Sequence, residues 1–307
     1  MRFSIFLLIF TSCILGVSGK SKLSKSLRIQ ATNVPVVVWH GMGDSCCNPL
    51  SMGAVKKLIE ETVPGIYVKN LMLGDNVVAD MEHGFFANMN DLVDEACQQI
   101  QKDPQLQGGY HAVGFSQGGL FVRALAQRCS NPPVKNLISI GGPHQGIFGL
   151  PYCIGDTVIC DSIRHLLDWG AYIGLVQNHV VQAQYWHDPL NESAYQKKNI
   201  FLSDVNNEVT LNATYKANLL RLKNFLLVLF SDDEMVVPKE STWFGYYKPG
   251  TVSEVLPMNQ TDLFLQDKIG IKKLYESNRL HFLTVKGRHL QISREVLVNE
   301  VINKYLK

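Results

Sequence analysis

The chain has 307 residues, 46% of them apolar and 18% charged, with a formal net charge of +2. That balance excludes a disordered or collagen-like chain and leaves ample material for a buried core. It also excludes the broad basic field of a nucleic-acid binder, while length alone allows one large domain or two small ones.

Residues 1–19, MRFSIFLLIFTSCILGVSG, join Arg2 to a mostly apolar stretch from Phe3 to Val17, with small residues at Val17 and Gly19. This is the pattern of a secretory signal peptide cleaved after Gly19. Lys20, Lys22 and Lys25 stop the run short of the roughly 20 apolar residues of a membrane anchor. No later stretch is long and apolar enough to span, so no transmembrane anchor is expected. Of seven cysteines, Cys13 leaves with the signal. The even number that remains suits a set of disulfides in an oxidising compartment. Three sequons, at Asn191, Asn212 and Asn259, are expected to carry N-glycans on surface loops.

Residues 34–39, VPVVVW, predict a buried strand that runs into the turn His40-Gly41-Met42-Gly43. Helical spacing over 51–61 is followed by a second strand at 66–72. Phe85, Met89, Leu92, Val93, Ala96 and Ile100 predict a helix over 84–102. A strand at 110–114, a helix at 119–128 and a strand at 135–141 come next. Strands alternating with helices argue for an α/β fold with a mostly parallel central sheet and helices on both faces. Between about 144 and 222 the rhythm breaks. Gly149, Pro151, Pro189 and the aromatics Trp169, Tyr172, Tyr185 and Trp186 read as short helices and loops. Residues 224–230 restart the sheet, 281–285 give its last strand, and 291–306 a closing helix. Strands on both sides make 144–222 a helical insertion in one domain, residues 20–307. No internal repeat or low-complexity tract interrupts the chain.

Gly114-Phe115-Ser116-Gln117-Gly118 fits G-x-S-x-G, with a strand running in and a helix running out. In that context the glycines permit a sharp turn that exposes a nucleophilic serine, and the helix N-terminus presents free N–H groups to a developing oxyanion. Such a serine needs a base, and the base an orienting acid, in the chain order Ser, acid, His. His289, in the turn after the last strand, fits that order best. His281 stands at the other end of that strand, His187 lies in the insertion, and His40 and His144 precede any acid. The acid belongs to Ser231-Asp232-Asp233-Glu234, after strand 224–230; spacing does not separate Asp233 from Asp232. Oxyanion donors are expected at the N–H groups of Gln117 and Met42. His187-Asp188 imitates a His–acid pair, but adjacent side chains diverge, so the pair reads as packing. No nucleotide, metal-protease or redox motif is present, and no cofactor or metal is expected.

The blocks VWHGMGDSCCNPLSMG (38–53), GFSQGG (114–119), HQGIFGLP (144–151), YWHDP (185–189) and WFG (243–245) resemble the palmitoyl-protein thioesterases of the lysosomal type 1 class, over essentially the whole mature chain. The resemblance implies an α/β-hydrolase that removes long acyl groups, mainly palmitate, from cysteine thioesters of lipidated proteins and peptides during lysosomal breakdown. It puts the nucleophile at Ser116, the acid at Asp233 rather than Asp232, the base at His289, and the oxyanion donors at Met42 and Gln117. It makes the insertion part of the acyl groove. It pairs Cys46 with Cys47, Cys97 with Cys129 and Cys153 with Cys160. It also implies delivery to the lysosome through the secretory pathway, with some secretion, and a sorting receptor that reads the N-glycans. Among the sequons, Asn212 looks shared with the family. One departure is Val237, before Pro238, where the family commonly keeps an aspartate.

Overall fold

A computed structural model describes residues 33–149 and 157–307. The expected signal segment, 1–19, and the expected Cys153–Cys160 pair lie outside the described residues.

Runs rich in buried apolar residues make the central strands β1 (Val36–Trp39), β3 (Tyr110–Phe115), β4 (Val134–Ile140) and β5 (Asn224–Phe230), and the short, more polar β2 (Val68–Asn70) forms one edge. Two further residue pairs, β6 (Tyr246–Tyr247) and β7 (Val255–Leu256), form a separate small antiparallel ribbon. β8 (Leu280–Val285) closes the main sheet at one edge, giving the order β2-β1-β3-β4-β5-β8 with every neighbouring pair parallel. This is an α/β-hydrolase sheet, and the turn that carries Ser116 follows the central strand β3.

Strand alternation sends side chains to two cores. Val37 and Trp39 of β1 join the larger one, and Val36 and Val38 the smaller. The helices that follow sort to these faces. α1 (Met52–Thr62) covers the smaller core through Met52, Leu58 and Ile59. α2 (Val77–His83) precedes α3 (Met89–Lys102), whose Met89, Leu92, Val93, Ala96 and Ile100 make a helical stripe facing the larger core. α4 (Gln117–Arg128) is buried along almost its whole length in that core.

The sequence predicted a helix over 84–102; α3 fills that range from Met89 onward, and α2 is a further short helix before it that patterning did not show. Asn76 caps α2, Asn88 caps α3, and Gly84 ends α2 between them. Strand 66–72 shortens to β2, and the closing helical run occupies 294–305, with a π-type stretch at Leu297–Ile302.

The insertion runs as α5 (Thr157–Gly170), α6 (Gly174–His179), a 3₁₀ turn (Val181–Tyr185), α7 (Glu192–Lys198), α8 (Leu202–Val205) and α9 (Ala213–Leu219). Its own small core gathers Ile163, Leu167, Ala171, Val176, Val180 and Ala183, with Phe85 packed against it. One isolated parallel bridge, Ile147 to Trp186, ties its start to its middle. The segment between β5 and β8 also carries structure that patterning did not show: a 3₁₀ turn (Lys239–Trp243), the β6–β7 ribbon, and the short helices α10 (Asp262–Leu265) and α11 (Ile271–Glu276). Disulfides join Cys46 to Cys47 and Cys97 to Cys129, the latter linking α3 to the end of α4. Among the described residues, no helix is long and apolar enough to cross a membrane.

Candidate active site

Ser116 sits between β3 and α4 at φ 54° and ψ −129°. That left-handed backbone is rare outside glycine and marks a constrained turn. Crowding explains why glycines flank it. A methyl group on Gly114 would stand 2.1 Å from the Gly118 oxygen, and one on Gly118 would stand 2.4 Å from the His40 oxygen. On Gly119 it would meet Ser139 Oγ at 2.2 Å. The strand therefore passes into the helix with no space for side chains beside it.

Ser116 Oγ lies 2.8 Å from His289 Nε2, and His289 Nδ1 lies 2.7 Å from Asp233 Oδ2. The other carboxylate oxygen, Oδ1, accepts the Met235 and Val236 N–H groups at 2.9 and 3.0 Å. The Asp233 side chain is 1% exposed and that of His289 9%. Asp233 Oδ2 accepts a hydrogen bond from Nδ1–H, which leaves Nε2 free to accept from the serine hydroxyl. Asp232 and Glu234 on the same turn are exposed. Of the two aspartates that spacing left open, Asp233 is the one that meets His289.

The other histidines are engaged elsewhere. His281 Nε2 contacts Asn224 Oδ1 at the far end of β8. His187 is stacked between Tyr195 and Tyr246, with Nε2 on Glu192 rather than on the adjacent Asp188. His144 is buried behind the turn, with Nε2 2.9 Å from Ser139 Oγ and Nδ1 accepting from Arg123 Nε at 3.2 Å. Burial, helped by the Arg123 charge, holds its imidazole well below the usual range.

The loop 40–43 runs directly past the serine. A methyl on Gly41 would lie 2.9 Å from Ser116 Cβ and 3.7 Å from Oγ. Met42 follows, half-buried, and Gln117 opens α4, where a backbone N–H has no intrahelical partner. Both expected donors thus belong to segments that border Ser116. Among the described residues, no group of three or more His, Cys, Asp or Glu side chains is placed to hold a metal ion.

The family model for palmitoyl protein thioesterase matches residues 35–289. The chain belongs to this family. It is 58% identical to palmitoyl-protein thioesterase 1 of Caenorhabditis elegans over 293 residues, covering 95% of this chain and 97% of that one. It is 36% identical to palmitoyl-protein thioesterase 3 of Dictyostelium discoideum, over 87% of this chain and 89% of that one. Against the human lysosomal thioesterase PPT2 it is 29% identical, over 80% and 78%. The enzyme is a palmitoyl-protein thioesterase of the serine hydrolase type, acting on thioesters.

Two supports of this thioesterase site gave no local signal in the sequence. Asp80, 1% exposed in α2, accepts the N–H groups of Leu73 and Cys46 at 2.8 Å each. Its Oδ1 lies 3.2 Å from His40 Nε2, within ion-pair range but off the hydrogen-bond line. It therefore fixes both ends of the glycine loop. The Gln117 side chain, also 1% exposed, donates to the Gly84 oxygen at 2.9 Å and accepts from Tyr185 Oη at 3.1 Å and Gln182 Nε2 at 3.3 Å. This ties the start of α4 to the insertion. Both sets of partners lie far off along the chain, so only the folded structure brings them together. Within α4, the fully buried Arg123 donates to the His144 oxygen, Asn206 Oδ1, Gln127 Oε1 and the Val205 oxygen. Burial pushes its pKa down to about 9.

Proposed function

We propose that this thioesterase removes palmitoyl and similar long acyl groups from cysteine residues of lipidated proteins and peptides in the lysosome, through a Ser116–His289–Asp233 triad. The unbroken hydrogen-bonded chain from Asp233 to Ser116 Oγ, in a member of this family, carries the reading. His289 takes the Ser116 proton as Oγ attacks the thioester carbonyl, and Asp233 orients the imidazole and offsets its charge. The N–H groups of Met42 and Gln117 receive the oxyanion. The cysteine sulfur leaves first. With a thiol pKa of about 8.5, it departs more readily than an alkoxide. Water, activated by His289, then frees the acid from the acyl-serine. Each buried CH₂ of the acyl chain contributes about 0.8 kcal/mol, so a palmitoyl chain dominates binding and the peptide is read weakly. The insertion, 144–222, supplies part of the groove for that chain.

The route is secretory: cleavage after Gly19, glycans at Asn191, Asn212 and Asn259, and a sorting receptor that reads those glycans. The relative named as a lysosomal thioesterase supports the destination.

The test is turnover of a palmitoyl-thioester peptide beside its oxygen ester. Preference for the thioester, lost in Ser116→Ala while the fold is kept, is the expected result; retained turnover in Ser116→Ala overturns the triad. Faster cleavage of the oxygen ester would make the chain a lipase instead. Failure of a fluorophosphonate to label Ser116 would favour a non-catalytic lipid carrier. Asp233→Asn should lose activity where Asp232→Asn keeps it.

A further inference from the structure

β8 is the edge of the main sheet, so its outer N–H and C=O groups meet no further strand. An open edge flanked by apolar side chains invites pairing with another chain. The two flanks of this edge differ. On the side of the closing helix the surface is charged, with Glu276, Glu300 and Lys304 around His281 and Leu283. Those charges are the usual protection of an edge. On the other side lies an apolar groove of about 330 Å³. Trp243, Pro257, Met258, Tyr275 and Phe282 line it, and Glu240 is its one charged side chain. Phe282 is 36% exposed and Tyr275 49%. Trp243 and Phe282 meet edge to face at 5.2 Å, so the aromatic wall is preformed.

The remaining polar residue of that groove is Asn259, exposed on the 3₁₀ turn Met258–Gln260 and the first residue of the sequon Asn259-Gln260-Thr261. The other two sequon asparagines cap helices: Asn191 accepts from Ala194 N, and Asn212 from Thr214 N and Tyr215 N. Asn259 instead lines the apolar groove beside β8.

We propose that Asn259 carries an N-glycan whose first sugars seat on the Trp243–Phe282 wall and shield the apolar flank of β8 from other chains. An N-acetylglucosamine ring suits this surface. Its C–H faces are apolar and stack on aromatic rings, while its hydroxyls stay at the rim near Glu240. In the attachment step the Asn259 amide nitrogen bonds to C1 of the first sugar of a lipid-diphosphate oligosaccharide. The C1–O bond to the diphosphate breaks, the lipid diphosphate leaves with that electron pair, and the amide nitrogen loses one proton. The inference rests on the secretory route proposed above.

The experiment expresses the full chain in glycosylating cells, maps glycopeptides, and compares wild type with Asn259→Gln by size-exclusion chromatography with light scattering. Expected results are a glycan on Asn259 and a core that an endoglycosidase trims only after denaturation. Asn259→Gln should shift from monomer to larger species with unchanged thioesterase turnover, and Asn259→Gln/Phe282→Asp should return to monomer. A bare Asn259 beside occupied Asn191 or Asn212 overturns the proposal and leaves the secretory route standing. Three bare sequons overturn both. A core trimmed as readily in the native protein, or an Asn259→Gln variant that stays monomeric, overturns the shielding.

Discussion

In β5, Phe225 to Phe230 bury six successive apolar side chains. In and beside the insertion helices, Gln177, Gln182, Gln184, Asn199, Asn206 and Asn207 are buried as deeply, and every one is an amide. Apolar burial is non-directional, so β5 gains stability without specifying much about orientation. The amides do the reverse. Gln177 donates to the Ala171 and Ala183 oxygens at 2.7 Å each and accepts from Ile200 N. Asn199 donates to the oxygens of Ala183, Gln184 and Trp186 and accepts from Phe201 N and Ser203 N. Gln184 reaches out to Ala87 O and Met89 N, fastening the insertion to the start of α3. The sheet is held up by packing, while the insertion is held in register by hydrogen bonds that fit one arrangement only.

That contrast can be broken in stages. The largest effect belongs to Ser116→Ala, which removes the nucleophile and touches neither kind of packing. Thioesterase turnover should fall by roughly 10⁴–10⁶-fold with the melting temperature unchanged; a large drop in melting temperature would mean the serine is structural. Next comes Phe225→Ala. It empties part of the sheet core and should cost about 3–5 kcal/mol of global stability in denaturant melts. Folded protein should keep its turnover. Asn199→Ala leaves buried groups of the insertion without their partner and should cost about 1–3 kcal/mol. Limited proteolysis should then cut first within residues 157–205, before the sheet opens. Cleavage in the sheet at the same rate would erase the distinction.

The smallest effect is a pH dependence seated in the sheet. Burial, with lesser contributions from the Lys223 and Lys135 charges, pulls the His111 imidazole of β3 down to about 4. In the unfolded chain it titrates near 6.5, so between these values the unfolded state binds the extra proton. Stability from this group is complete above about pH 6.5 and is lost as pH falls toward 4. His111→Gln should flatten the fall in stability between pH 7 and pH 5 by about 1–2 kcal/mol. An unchanged pH profile would show that another group sets it.

The same contrast explains what could be read in advance. Strands such as 34–39 and 224–230 announce themselves because buried β-structure needs an unbroken apolar run. The serine turn does so because only glycines fit beside it. The insertion's order is carried by amides, which look like surface residues until their acceptors arrive from elsewhere in the chain. Gln117 is legible as the proposed oxyanion donor from its place after Ser116. Its side-chain anchor, Tyr185, lies in the insertion and is not. Asp233 and Asp232 share one turn and one chemistry. What separates them is burial and the N–H groups of Met235 and Val236, and spacing records neither.

The strand that leads to His289 is also the strand at the open edge of the sheet. A neighbouring molecule that pairs along β8 would stop at Val285, short of the turn that carries His289, so the 2.8 Å contact of His289 Nε2 with Ser116 Oγ would outlast that pairing. Clumping and loss of turnover in stored or heated enzyme would then be separate events with separate onsets. Light scattering would follow the first and a thioester assay the second.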